Sequence, residues 1–406
     1  MSPSQRFALA LSLAWLPMAC QSETPLDRAF NVPSAPIAGA DVNAAEDLGT
    51  DAPEEVAVPI DTTSPPVDTT QPPAPADTLP APDLTPAPED VGEDAGPLSI
   101  GELCFGDIFD PEANAPDYDQ FKPTLGSHCL GTNHQEIKGV ERVVFLGDSV
   151  TVGSPPTPLE KMYRNQLALA LADHFGLEKP SFNWFTPNPF DGKTFAKEAG
   201  DFASCARWGA RTDDLMLDDE DQVFECFPKA KRDKVTLVIM TIGGNDIAAL
   251  TKDGADQSYE KSLAQTQQFV KYLADTVAWL KDPANFPNGS YVVFANMFEF
   301  TDGTGETNAC ALASLGGFDG AWDDPLDLEN LVIWANEQYM KIAVDHGADL
   351  IFMLETFCGH GFKHDDPNGR CYRGPEAEQW FDFTCIHPNP TGHTEIAKMF
   401  EAVILE

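Results

Sequence analysis

A chain of 406 residues, 42% of them hydrophobic, is long enough to bury one sizeable core. Its 25 Lys and Arg face 65 Asp and Glu, giving a formal net charge of −40. Such a balance excludes a nucleic-acid-binding surface, which needs a basic stripe, and disfavours docking of the folded part on anionic lipid headgroups.

Residues 1–20 have the layout of an export signal. Arg6 precedes an apolar run from Phe7 to Leu16 that is too short to span a bilayer. The run ends in Leu16-Pro17-Met18-Ala19-Cys20, which resembles a bacterial lipobox with Cys20 as the lipidated mature N-terminus, although Pro17 stands where that pattern usually has Leu. The alternative is ordinary cleavage after Ala19, leaving a free thiol. Residues 21–98 are rich in Pro, Ala, Thr and acidic side chains, with Arg28 as their one basic residue. Such a segment buries too little apolar surface to offset its ordering entropy, so a disordered tether is expected. Residues 99–406 form the expected folded domain. Residues 1–99 hold 16 of the 65 acidic and 2 of the 25 basic residues, so the domain keeps a net charge of about −26.

Eight further cysteines fall in that domain, an even number behind an export signal, and read as disulfides. Closeness in the chain suggests Cys104–Cys129, Cys205–Cys226 and Cys358–Cys371, leaving Cys310 for Cys385.

Short apolar runs then alternate with amphipathic stretches. Strands are expected at Arg142–Leu146, Val235–Ile242, Tyr291–Ala295 and Asp349–Leu354. Helices are expected at about Leu159–His174, Tyr259–Leu280, Leu328–Val344 and Thr391–Leu405. Strands apolar on both faces, alternating with helices, indicate a parallel sheet covered on both sides.

Four segments carry candidate chemistry. Gly147-Asp148-Ser149 follows the first strand, where a serine hydroxyl can be held exposed. Trp208-Gly209-Ala210 supplies a glycine N–H ahead of a helix, and Gly243-Gly244-Asn245-Asp246 ends the second strand. His387-Pro388-Asn389-Pro390 precedes the last helix. Each alone reads as a turn or helix cap.

In this order the four resemble the sequence blocks of the SGNH/GDSL hydrolase family, over roughly residues 141–405. The resemblance implies a three-layer α/β/α sandwich with a flavodoxin-like parallel sheet. It implies Ser149 as nucleophile and His387 as base, with the Ser149 N–H, the Gly209 N–H and the Asn245 side chain as oxyanion hole. The family usually has Asp three residues before the histidine, and here that residue is Thr384. A Ser-His dyad oriented by a backbone carbonyl near Thr384 is the favoured expectation. Asp382, two residues off the usual spacing, is the alternative orienter.

Cys358, His360, His364 and Cys371 could form a zinc site, but in an exported chain a disulfide with two ordinary histidines is favoured. The implied chemistry needs no metal or cofactor. The expected activity is hydrolysis of carboxylic esters, of lipids, short acyl chains or polysaccharide O-acetyl groups, through an acyl-serine intermediate. The expected protein is a monomer, held to the bacterial envelope by Cys20 alone or else secreted. The Gly-rich stretch Phe298–Asp324 is expected to border the pocket. The other reading is a non-catalytic domain of the same fold that binds a glycan or surface partner.

Overall fold

Successive side chains of a strand point to opposite faces, and in this protein's sheet both faces are apolar. The computed structural model describes residues 98–406 apart from 110–113, 219–220, 255–256, 319 and 321. The expected export signal, Cys20 and nearly all of the expected tether lie outside the described residues.

Six strands, β1 (Arg142–Gly147), β2 (Glu198–Ala199), β3 (Phe202–Ser204), β4 (Thr236–Thr241), β5 (Ser290–Ala295) and β6 (Asp349–Ile351), lie in the order β2-β3-β1-β4-β5-β6. Only the two-residue edge strand β2 runs antiparallel to its neighbour. The five parallel strands therefore have the order 2-1-3-4-5, the doubly wound flavodoxin-like arrangement.

The α-helices are α1 (Ser149–Val152), α2 (Tyr163–Phe175), α3 (Phe182–Phe185), α4 (Gln222–Cys226), α5 (Gly244–Gly254), α6 (Tyr259–Lys281), α7 (Pro325–His346), α8 (Met353–Phe357) and α9 (Pro390–Leu405). Val144, Leu146, Val238 and Met240 share one buried cluster with apolar side chains of α6 and α7. Val143, Phe145, Leu237 and Ile239 share the other with α2 and α9. Alternate residues of the same strands thus feed two cores, and the expected three-layer sandwich is present. No described helix is long and apolar enough to cross a membrane.

Two element boundaries differ from expectation. The run Asp349–Leu354 is strand only to Ile351, and Met353 begins α8. Leu354 N–H donates to Asn296 Oδ1 at 2.8 Å, which draws the chain out of the sheet. A continuous apolar run does not distinguish a buried strand from a buried helix. The helix expected from Leu159 is broken at Met162, whose extended backbone separates a 3₁₀ turn (Leu159–Lys161) from α2. Strands β2 and β3 and helix α5 had no counterpart in the sequence reading.

The four disulfides are Cys104–Cys129, Cys205–Cys226 and Cys358–Cys371, the three pairs suggested by closeness, and Cys310–Cys385, the pair left over. Cys358 and Cys371 are thereby joined to each other. The Nδ1 atoms of His360 and His364 meet the carbonyls of Glu378 and Gly361.

Candidate active site

Strands β1 and β4 are adjacent, and the order of connection reverses between them, so their carboxyl ends flank the crevice where such sheets place ligands. At the end of β1, Gly147 adopts φ +121°, and a Cβ there would stand 2.0 Å from the Thr241 carbonyl oxygen of β4. Only glycine permits this close approach. The next residue, Asp148, caps α1 by accepting from Val150 N–H at 3.0 Å, and Thr241 Oγ1 donates to the same oxygen at 3.2 Å. Burial pushes the Asp148 carboxyl up to about 7. Ser149 then opens α1, and its N–H has no hydrogen-bond acceptor among the described residues.

The His387 loop is a closed structure. Asp382 N–H donates to the His387 carbonyl at 2.9 Å, and Phe381 bridges Pro388. Cys385, at φ +73°, is tied to Cys310, while Asn389 caps α9 by accepting from Thr391 and Gly392 N–H. Behind the loop, Phe357 packs on Phe381, Trp380 and Phe298 with ring centroids 5.0–5.5 Å apart.

This scaffold places His387 Nε2 2.8 Å from Ser149 Oγ. On the other side of the ring, Nδ1 lies 2.9 Å from Thr384 Oγ1. The Thr384 hydroxyl and N–H both meet Asp382 Oδ1. No backbone carbonyl or carboxylate touches the ring nitrogen directly; the Thr384 side-chain hydroxyl does, and Asp382 stands behind it. Burial lowers the pKa of His387, and the Asp382 carboxylate acts in the opposite direction.

Asn245 stands at the start of α5, and its Nδ2 donates to the Ala210 carbonyl at 2.9 Å. An amide NH₂ has two protons, so one remains for a ligand. Asp246 is turned the other way and accepts from Thr212 Oγ1 at 2.9 Å and Thr212 N–H at 3.1 Å. Burial pushes its carboxyl up to about 8. Asn245 and Asp246 together hold the segment that carries Gly209. Gly209 itself is exposed at φ +74°, with no acceptor for its N–H among the described residues.

Ser149 and Asn245 lie in the wall of a pocket that opens to solvent. Its apolar walls include Val150, Ile242, Met297, Phe300, Phe318 and Val332. The stretch Phe298–Asp324 borders it as expected, through Phe298, Phe300, Thr301, Thr307 and Phe318. The sequence reading missed the part of the wall from α7, including Leu328 and Val332. It also missed the buried Glu329, which meets Arg370 at 2.8 Å. Gly209 is not in the cavity wall. Among the described residues, no group of three or more His, Cys, Asp or Glu is placed to hold a metal ion.

The sequence of residues 145–394 matches the model of the GDSL-like lipase/acylhydrolase family. The chain belongs to this family. No curated protein matches it. Among solved structures, this family member is similar to an extracellular lipase from Streptomyces rimosus, at 20% identity and TM-score 0.40, over 65% of this chain and 100% of that one. It is similar to phospholipase A1 from Streptomyces albidoflavus at 18% identity and TM-score 0.40, over 65% and 99%. A carbohydrate acetylesterase from Sinorhizobium meliloti is similar at 14% identity and TM-score 0.33, over 65% and 99%.

Proposed function

We propose that this GDSL-like acylhydrolase cleaves carboxylic esters through an acyl-serine intermediate, outside the cytoplasm. The observation that carries the reading is the 2.8 Å contact of Ser149 Oγ with His387 Nε2 beside a largely apolar cavity. An alcohol is a weak nucleophile at neutral pH and needs a base to take its proton as it attacks. His387, whose pKa burial holds below the ordinary value, is neutral at pH 7 and able to accept it.

Ser149 Oγ bonds to the ester carbonyl carbon while its proton passes to Nε2. The charge that develops on the carbonyl oxygen is met by the Ser149 N–H and the free Asn245 amide proton, which border the pocket; the Gly209 N–H, which has no acceptor among the described residues but lies outside the pocket wall, is the third donor that the family resemblance implies. Collapse breaks the C–O bond, and the departing alkoxide takes the proton from Nε2. Water repeats the sequence on the acyl-serine and frees the acid. The cavity walls favour an acyl chain longer than acetyl, so a lipid or medium-chain ester is the substrate proposed here.

Export and a lipid anchor at Cys20 belong to the same proposal. A short apolar leader, a Pro- and acid-rich tether and four disulfides support them together. The test is hydrolysis of p-nitrophenyl esters by the full chain, with labelling by a fluorophosphonate. Ser149→Ala should lose both. Wild-type protein that takes no label and cleaves no ester would instead indicate a binding module.

A further inference from the structure

The hydrogen bonds around His387 set the direction of each proton in a chain of four side chains. If Nε2 accepts from Ser149, the ring proton sits on Nδ1 and is donated to Thr384 Oγ1, 2.9 Å away. The single hydroxyl proton of Thr384 must then point away from the ring, onto Asp382 Oδ1. In the reverse arrangement the hydroxyl would donate to Nδ1, and Nε2 would carry a proton toward Ser149. That imidazole could not act as a base. A carboxylate that draws the hydroxyl proton to itself opposes the reverse arrangement.

We propose that Asp382 is a positioning residue for the reaction at Ser149, acting on His387 through the Thr384 hydroxyl. It selects the Nδ1-protonated ring and steadies the imidazolium that forms when Ser149 gives up its proton. The inference rests on the proposed esterase reading for its consequence in catalysis, while the arrangement of protons stands apart from it. Throughout the cycle the Nδ1 proton stays on nitrogen; only the Nε2 proton moves, from Ser149 to the leaving alcohol.

The surroundings of Asp382 support this role. The residue is 8% exposed, and among the described residues it meets no Lys, Arg or His in an ion pair. Its Oδ2 is buried with no hydrogen-bond partner there, so the carboxylate is bonded through one oxygen, toward Thr384. The titratable groups acting on the ring are Asp382 from its own loop and His393 from α9. Burial holds His393 near 3, so it is uncharged at working pH and Asp382 supplies the charge.

The test compares wild type with Asp382→Asn, Thr384→Val, Thr384→Ser and Ser149→Ala, by pH–rate profiles and by nitrogen NMR of the histidine rings. In Asp382→Asn the Thr384 N–H retains an oxygen acceptor at the Oδ1 place, so the shape persists and the charge is lost. kcat should fall about 10–100-fold with KM nearly constant, short of the roughly 10⁴ lost when a carboxylate in direct contact is neutralised. The acid limb of the profile and the His387 ring titration should both move to lower pH. Thr384→Val should lower kcat by about 10²–10³, and Thr384→Ser should restore it to within a few-fold. Equal thermal midpoints would exclude misfolding, and Asp382→Asn with Thr384→Ser decides the matter if Thr384→Val does not fold. Unchanged kcat, profile and ring titration in Asp382→Asn, with Ser149→Ala inactive, would overturn the relay and establish a dyad. If Ser149→Ala were fully active, the esterase reading would fail instead. The ring titration would still decide the relay: a shift upholds it and no shift overturns it.

Discussion

Cys310 and Cys385 join a segment that follows β5 to the loop that ends in His387, across 75 residues of chain. The crosslink closes a long loop of the unfolded chain and fixes the histidine loop against one side of the pocket. Replacing both cysteines by Ser should cost about 4 kcal/mol of stability, as expected for a loop of this length. It should also lower kcat more than it raises KM, because Cys385 stands two residues from His387, the proposed base. Urea unfolding midpoints and steady-state kinetics on one preparation check both.

Asn245→Ala should lower kcat by about 10²–10³, the usual effect of removing one oxyanion donor. The Ala210 carbonyl loses its partner in the same variant, so a smaller drop in thermal midpoint accompanies the kinetic loss. A kcat within threefold of wild type would remove Asn245 from the proposed oxyanion hole.

Within an apolar cavity each added methylene contributes about 0.8 kcal/mol. Accordingly kcat/KM for p-nitrophenyl esters should rise about fourfold per methylene until the space is filled. Val332→Trp, on the α7 side of the wall, should lower the rate on the longer esters and spare the acetate. A series that declines from acetate upward would contradict the proposed preference.

Stability and activity should respond to pH in opposite senses. Asp148 is raised from an ordinary 3.8 to about 7 and Asp246 from 3.8 to about 8, chiefly by burial. A carboxyl with a raised folded pKa binds its proton more tightly when folded. Its contribution is full below about 4 and is lost as pH rises through 7 to 8. The domain's acidic excess adds repulsion over the same range. The thermal midpoint should therefore fall from pH 5 to pH 8, and Asp246→Asn should flatten that fall. Hydrolysis should instead lose rate only on the acid side, below the ordinary histidine value near 6.5.

How much of this was legible in the sequence depends on the range of the contacts. Strands β1, β4 and β5 were readable because Val143, Val144, Leu237, Val238, Val292 and Val293 are apolar whichever face they meet. Strand β3, three residues long, leaves too little pattern to read. Helix α8 continues an apolar run, and only its partners across the fold show that Glu355 is buried against Tyr118 and Asn296. Ser149, Asn245 and His387 were legible as spaced blocks. Spacing names residues rather than atoms. It pointed to Thr384 and Asp382 as orienters in competition, whereas the hydroxyl of one lies between the ring and the carboxylate of the other.

About half of the pocket wall comes from residues 297–332, while Val150, Ile242, Ile247 and Ile386 line it from the segments that carry the proposed reacting groups at 149, 245 and 382–387. The part of the wall between β5 and α7 thus lies on a stretch of chain apart from the proposed reacting groups, and the Cys310–Cys385 crosslink joins the two. Such a division lets substrate choice drift through substitution and insertion in one stretch while the reacting apparatus stays intact. Among relatives of this protein, length differences should gather between β5 and α7, and they should change which ester is taken without abolishing turnover.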